Sequence, residues 1–235
     1  MNPLADAAWL DCPGAGGLSL IEGTQTLRNV CRDFPEWHRG RSPYVFWALD
    51  VDISAVRVQV KGASEHLSGL LLNSYCRQPH VTLDLCGFPS SAPNDDDEFN
   101  HALIDRQCSA LRAAHVPAFD MFVGGLGSFS SAPFLQVTDR AGGIAAVRDC
   151  LAVDGRHRLL GRHVPHVTVG LYADAWPVTN IAARFEQYVA GEPVHCRIER
   201  ISLMSYVPSL IGGELSSVAD FYLATGEMCW HRSLT

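Results

Sequence analysis

The chain has 235 residues, of which 47% are hydrophobic and 18% are charged, and its formal net charge at pH 7 is −7. This composition is typical of a folded globular protein and too apolar for a disordered one. Because the net charge is negative, the chain has no overall attraction for polyanions, and we do not expect it to bind long nucleic acids.

The eight cysteines are scattered and include no Cys-x-x-Cys pair, which favours reduced thiols over a disulfide framework or a thiolate zinc site. The first residues lack the basic and apolar regions of a signal peptide. No apolar run approaches the roughly 20 residues that span a bilayer. We therefore expect a cytoplasmic protein without membrane association.

Residues 1–43 are predicted to form an N-terminal extension. A glycine-rich stretch at 13–17 precedes a basic segment with interleaved aromatic residues, which contains Arg28, Arg32, Phe34, Pro35, Trp37, His38, Arg39 and Arg41. One interpretation is an arm that contacts a phosphate or stacks on a base. The preferred interpretation is a segment that packs over a sheet edge or is partly disordered.

Residues 44–235 are predicted to form one domain of alternating helices and strands. Strands are expected at 44–51, 80–86, 118–123, 134–138, 164–171, 194–206 and 218–225, and helices at 56–71, 95–115, 141–153 and 179–190. The glycine-rich segment 124–131 joins two strands, so a wide hairpin is favoured over a phosphate-binding loop. The order suggests a diverged internal duplication and an α+β fold of two sheets, with the strand order left open.

The tetrapeptide Pro-His-Val-Thr occurs twice, and its histidines, His80 and His166, lie 86 residues apart. Side chains alternate along a strand, so His80 and Thr82 are expected on one face. His166 and Thr168 repeat this arrangement. The opposite, core-facing side of the first strand is expected to carry Val81, Leu83 and Leu85.

Two imidazoles can supply both the base and the acid that phosphodiester cleavage needs. With an unperturbed pKa of about 6.5, one histidine is expected neutral and the other cationic near neutral pH. The hydroxyls of Thr82 and Thr168 can donate hydrogen bonds to phosphate oxygens. This chemistry requires no metal or cofactor. A single His-x-Thr is more often a structural histidine, but its repetition favours catalysis.

Other residues near the motifs are weaker candidates. His163 and His166, three apart on a strand, point to opposite faces, so a zinc site is not expected. Tyr172 is a candidate to orient water or stack on a base. Three arginines precede the motif strands and can meet phosphate, although a solvated role is preferred for each: Arg77, Arg158 and Arg162.

These motifs resemble the signature of the two-histidine (2H) phosphoesterase superfamily, which is His-x-Thr/Ser-hydrophobic on two strands about 80–90 residues apart. His80–Leu83 and His166–Val169 match it, and Phe119–Phe129 resembles the strand and turn between the motifs. The superfamily includes RNA 2′,3′-cyclic phosphodiesterases once called 2′–5′ RNA ligases, plant cyclic phosphodiesterases and nucleotide-binding domains of kinase-anchoring proteins. The resemblance covers about residues 44–230.

The resemblance implies two pseudo-symmetric lobes of mainly antiparallel sheet with outer helices, facing each other across a central cleft. It implies His80 and His166 as an acid–base pair and Thr82 and Thr168 as phosphate-oxygen donors. The near-symmetry of the motifs gives little basis for assigning the two roles, and we assign His166 as the base and His80 as the acid. Two departures are evident. Many bacterial members have an arginine after the second motif, where this chain has 170–172, and residues 1–43 have no obvious counterpart.

The expected function is hydrolysis of a 2′,3′-cyclic phosphate or a 2′–5′ linkage in a small nucleotide or at an RNA end. One alternative is a nucleotide-binding module with the same fold and little turnover. Another is an RNA end-joining or end-processing role, which should require a basic track. The net charge of −7 makes this second alternative the weaker one.

Overall fold

The ten strands of this computed structural model, which describes residues 21, 23–154 and 163–234, form two sheets. The strands are β1 (Tyr44–Asp50), β2 (His80–Pro89), β3 (Glu98–Phe99), β4 (Phe119–Ser128), β5 (Pro133–Thr138), β6 (His166–Thr168), β7 (Val194–Ile198), β8 (Arg200–Tyr206), β9 (Ser216–Tyr222) and β10 (Met228–Trp230). The helices are α1 (Pro35–His38), α2 (Ser54–His66), α3 (His101–Ala114), α4 (Gly143–Leu151) and α5 (Val178–Glu186).

The larger sheet has the strand order β10-β9-β8-β1-β2-β3 and the smaller sheet β6-β5-β4-β7. All neighbouring strands pair antiparallel except β2 and the two-residue β3. The predicted α+β fold with two mainly antiparallel sheets is therefore confirmed. One motif strand lies in each sheet, with β2 in the larger one and β6 at the edge of the smaller one.

The two sheets are not consecutive halves of the chain. Residues 194–206 were predicted as one strand, but the structure divides them at Glu199 into β7 of the smaller sheet and β8 of the larger one. The last three strands therefore return to the sheet that contains β1. This corrects the expectation, drawn from the suggested internal duplication, that each half of the chain forms its own sheet.

The central strand β1 of the larger sheet is buried on both faces. Val45, Trp47 and Leu49 belong to the main core, which both sheets and helices α2 to α4 share. The alternate residues of β1 enter a second apolar cluster with Trp37 and Phe88. Because β1 is central and packed on both sides, its sequence is a nearly continuous apolar run rather than an alternating one.

One predicted boundary moved for a physical reason. The helix expected from residue 95 begins at His101, because the acidic residues before it pair with arginines of the N-terminal segment. Arg41 contacts both Asp97 and Glu98, with its Nη1 lying 2.7 Å from Asp97 Oδ1. The predicted hairpin at 124–131 is confirmed as β4–β5, with a register shift between Val123 and Leu126.

None of the helices in the described part of the chain is both long and apolar enough to cross a membrane.

Candidate functional site

A cavity of about 480 Å³ lies where β2 of the larger sheet faces β6 of the smaller one. It is lined by both residues of each motif pair, namely His80, Thr82, His166 and Thr168. The structure thus brings together the four residues that the repeated tetrapeptide predicts. Their placement follows from strand alternation, because Val81 and Val167 between them are fully buried in the main core.

The two histidines are held in the same way. Nδ1 of His80 lies 2.8 Å from the carbonyl oxygen of Gln78, and Nδ1 of His166 lies 2.8 Å from that of Val164. A carbonyl oxygen only accepts, so Nδ1 carries the proton in each neutral ring and Nε2 is the nitrogen that can take up or release one. Both imidazoles therefore offer the same atom for acid–base chemistry.

Aromatic rings fix the orientation of each imidazole. The ring of Phe46 lies 5.6 Å from that of His80. His166 packs edge-on against Phe129 at 4.8 Å and against Phe134 at 5.3 Å between ring centroids. These apolar surroundings position the two rings and at the same time disfavour their charged forms.

Burial lowers the pKa of both histidines, and that of His80 falls to about 4. The charges of Arg77 and His166 lower the pKa of His80 further. In the protein by itself, burial therefore favours the neutral form of both rings, whereas the sequence expectation had one of them cationic near neutral pH. The unperturbed value used for the sequence prediction takes no account of burial.

The threonines have different surroundings. Thr82 is half-buried and lies opposite Ala48 of β1. Thr168 of β6 pairs with Phe134 of β5, and its side chain interacts with Tyr75, whose pKa burial raises and this contact lowers. Tyr75 also lines the cavity, so the segment before β2 reaches across to the motif of the other sheet.

The sequence prediction for Leu85 is corrected. Leu85 was expected in the core with Val81 and Leu83, but it lines the cavity. The reason is a β-bulge: Ala48 pairs with Thr82 and Trp47 pairs with Asp84, so Leu83 has no direct partner on β1. Beyond the bulge the alternation along β2 is inverted.

Tyr172 was predicted to contact substrate, and this prediction is wrong. Its side chain is fully buried in a cluster with Leu67 and Ile181. Its hydroxyl lies 2.6 Å from Oγ of Ser128, and burial raises its pKa to about 12. A ring with no exposed face can neither stack on a base nor orient a cavity water.

Sequence reasoning undervalued Arg77. This arginine lines the cavity, and its guanidinium carbon lies 4.2 Å from the centroid of the Tyr206 ring. Its Nε is buried without a hydrogen-bond partner, and no described carboxylate pairs with it. The sequence signal was the position of Arg77 just before the first motif. Arg158 and Arg162 precede the second motif in the same way, but they lie outside the described residues.

The described residues that line the cavity carry no negative charge. They include two arginines and two histidines and no Asp or Glu, although the whole chain has 25 acidic and 18 basic residues. Within the described residues, no three His, Cys, Asp or Glu side chains gather as a metal site would need. The arrangement is suited to an anion.

Residues 25–38 form one wall of the cavity, and we call this segment the strap. Leu27, Arg28, Asn29, Val30, Phe34 and Trp37 line the cavity. The preferred sequence interpretation was packing over a sheet edge, whereas Trp37 packs on Tyr44 and Phe88, on one face of the larger sheet. The strap nevertheless also faces the site.

The fold and the site define a bilobal α+β protein with one His-x-Thr strand from each sheet. A family model described as the 2′-5′ RNA ligase superfamily matches residues 48–209, a range that contains both motifs. The chain belongs to this superfamily of 2H phosphoesterases. Among curated proteins, no significant match was found.

The chain is similar to several solved structures. TT0787 of Thermus thermophilus is 14% identical, with a TM-score of 0.49 over 77% of this chain and 98% of that one. E. coli LigT complexed with 3′-AMP is 15% identical, with a TM-score of 0.48 over 79% of this chain and 100% of that one. LigT complexed with ATP is 16% identical, with a TM-score of 0.48 and coverages of 78% and 100%.

Proposed function

We propose that the protein is a metal-independent phosphodiesterase that hydrolyses a 2′,3′-cyclic phosphate or a 2′–5′ linkage in a small nucleotide or at an RNA end. The observation that carries this proposal is the pair of His-x-Thr strands facing one cavity, whose described lining residues include no Asp or Glu. Membership in the 2′-5′ RNA ligase superfamily supports phosphodiesterase chemistry in general.

In the proposed reaction the phosphodiester lies between the two Nε2 atoms. One neutral imidazole takes a proton from water, whose oxygen forms a new bond to phosphorus. The bond from phosphorus to the leaving ribose oxygen breaks, and the other imidazole, protonated when the anion binds, gives its proton to that oxygen. Thr82 and Thr168 donate hydrogen bonds to the non-bridging oxygens, and Arg77 offsets the developing negative charge.

The charges favour His80 as the base and His166 as the acid. The charge of Arg77 disfavours the cationic form of His80 and so keeps this ring in the neutral form. A base must be neutral before the reaction and an acid must hold a proton. This order is the reverse of the one taken from the sequence, where near-symmetry gave little basis for the choice.

The experiment is product analysis in the presence of EDTA. Wild type, His80→Ala, His166→Ala and Arg77→Met are incubated with the four 2′,3′-cyclic nucleotides and a 2′–5′ linked oligoadenylate. We expect turnover that survives EDTA, with each histidine variant slower by about 10²–10⁴-fold. His101→Ala, which changes an exposed histidine of α3, is the control and should retain full activity.

A nucleotide-binding module is the second candidate, and one observation favours it. Burial lowers the pKa of both imidazoles, which disfavours the proton that a leaving oxygen needs until a ligand brings negative charge. Binding of AMP or a cyclic nucleotide without hydrolysis in wild type would establish this role. Hydrolysis that persists in both histidine variants would overturn both candidates.

A further inference from the structure

The strap is fixed to the smaller sheet by hydrogen bonds that leave Arg28 facing the cavity. The N–H of Leu27 donates to the Ser130 carbonyl at 2.7 Å. Asn29 donates its N–H to the Tyr172 carbonyl at 3.0 Å and its side-chain amide to the Ser131 carbonyl at 2.8 Å. Arg28 stands between these two anchored residues, so its backbone is held at the edge of the site.

Arg28 differs from the other arginines between residues 25 and 43. Arg32 pairs with Glu36, Arg39 lies 2.7 Å from Asp95, and Arg41 pairs with Asp97. Within the described part of the chain, Arg28 has no carboxylate or carbonyl partner, and it lines the cavity. In a chain with more acidic than basic residues, a cation left unpaired at a cavity is available to an external anion.

We propose that the strap forms a second anion subsite, in which Arg28 binds a phosphate of the ligand other than the one between the histidines. This inference rests on the proposed function and names its substrate class more closely. Arg77 lies on the larger-sheet side against Tyr206, whereas the residues on both sides of Arg28 are hydrogen-bonded to the smaller-sheet side. Two cations on separate walls fit a ligand with two phosphates better than a ligand with one.

The second phosphate can come from two sources of the same chemistry. It is either a 5′-phosphate on the same nucleoside or the next phosphodiester of a short oligonucleotide. The strap also presents Leu27 and Val30, each about half exposed, to the cavity. These apolar surfaces are suited to pack against the nucleoside between the two charged ends.

The test measures binding by calorimetry in a His80→Ala background, so that hydrolysis does not consume the ligand. The three ligands are adenosine 2′,3′-cyclic phosphate, its 5′-phosphorylated form, and the dinucleotide ApA that ends in a 2′,3′-cyclic phosphate. We expect at least one two-phosphate ligand to bind about 3- to 10-fold more tightly than the first, as one partly exposed arginine–phosphate contact would give. Which ligand gains identifies the source.

Arg28→Gln should remove this preference and leave the affinity for adenosine 2′,3′-cyclic phosphate nearly unchanged. Arg106→Gln removes an equally exposed, unpaired arginine from α3, away from the cavity, and should retain the preference. Equal affinity for all three ligands, or a preference that survives Arg28→Gln, overturns the subsite while leaving the proposed function intact. Hydrolysis by His80→Ala overturns the proposed mechanism but not the subsite, and failure to bind any of the three overturns both.

Discussion

The two motif histidines lie where the sequence predicts, but burial lowers the pKa of both, which the sequence does not predict. Both are placed at the cavity by strand alternation, which the sequence displays directly. Their pKa values depend on burial and on Arg77, which the fold brings to the same cavity. A short motif identifies the groups that can transfer protons, but only the tertiary surroundings decide which form they take.

The lowered pKa of His80 predicts a loss of stability on acidification. In the unfolded chain this histidine titrates near 6.5, whereas in the folded protein it titrates at about 4. Between these values the unfolded state binds more protons, so the free energy of unfolding should fall as the pH drops from about 6.5 to 4. We expect His80 to contribute about 1–3 kcal/mol of this loss.

Urea unfolding at pH 7, 5.5 and 4.5 measures this contribution as the difference between wild type and His80→Gln. The variant should lose less stability over the window, because glutamine does not titrate. His101→Gln provides the comparison for an exposed histidine and should follow wild type. The same pH dependence in wild type and His80→Gln would mean that His80 is not held neutral by the fold.

At the scale of elements, the bulge in β2 could not be predicted from the alternation of residues along the strand. Strict alternation would place Asp84 on the cavity face with His80 and Thr82, where a carboxylate would repel phosphate. The bulge turns Asp84 into the interior, where the side-chain amide of Gln107 donates to it at 2.7 Å. Leu85 takes the cavity position instead, so an irregularity of one residue keeps the Asp84 carboxylate away from the site.

Most of the elements were predictable because their signals are local. Apolar spacing predicted α2 to α5 and the main strands, and the glycine-rich hairpin followed from its flanking strands. The division at Glu199 and the contacts of the strap were not predictable, because they depend on pairing between distant segments. The burial of Tyr172 likewise depends on α5, which begins six residues later but packs on it in three dimensions.

The hairpin glycine Gly127 is predicted to be necessary for the position of His166. A Cβ at this residue would lie 2.6 Å from the ring of Phe134, which itself packs on His166. Gly127→Ala should therefore displace the ring, cost about 1–3 kcal/mol of stability and lower kcat more than it raises KM. Chemical unfolding together with steady-state kinetics on the substrate identified above provides both readouts.

Gly62→Ala is the matched control, because a Cβ there meets nothing within 4 Å. Gly62 lies inside α2, so this change should raise stability by about 0.5–1 kcal/mol without affecting turnover. If Gly127→Ala is as stable and as active as wild type, the contact between β4 and Phe134 does not position the histidine.

At the scale of the whole molecule, the charge distribution opposes the charge of the site. The net charge is −7, whereas the described residues that line the cavity carry arginines and histidines and no carboxylate. Arginines just outside it are neutralised, as Arg39 and Arg41 are by Asp95 and Asp97. Within the described residues, the unpaired positive charge is therefore concentrated at the cavity, with no continuous basic track beside it.

This distribution predicts that a longer RNA gains nothing from its length. Each additional phosphate contact would add about −0.7 to the slope of log affinity against log salt for a single strand. With only the cations of the cavity engaged, we expect a slope of about −1 to −2 for both a dinucleotide and a 20-nucleotide RNA ending in a 2′,3′-cyclic phosphate. The measurement is kcat/KM for the two substrates between 50 and 300 mM salt.

A steep slope for the long RNA alone would contradict this prediction and would place a basic track outside the cavity, as the end-joining alternative requires. The experiment separates two sources of selectivity. A cavity recognises the chemical groups at the end of the RNA, whereas a basic track binds a longer RNA more tightly because it contacts more phosphates. If the two salt slopes are equal and Arg28→Gln removes the preference for a second phosphate, the site recognises only the two phosphates at the end of a nucleotide chain, and the strap provides the second contact.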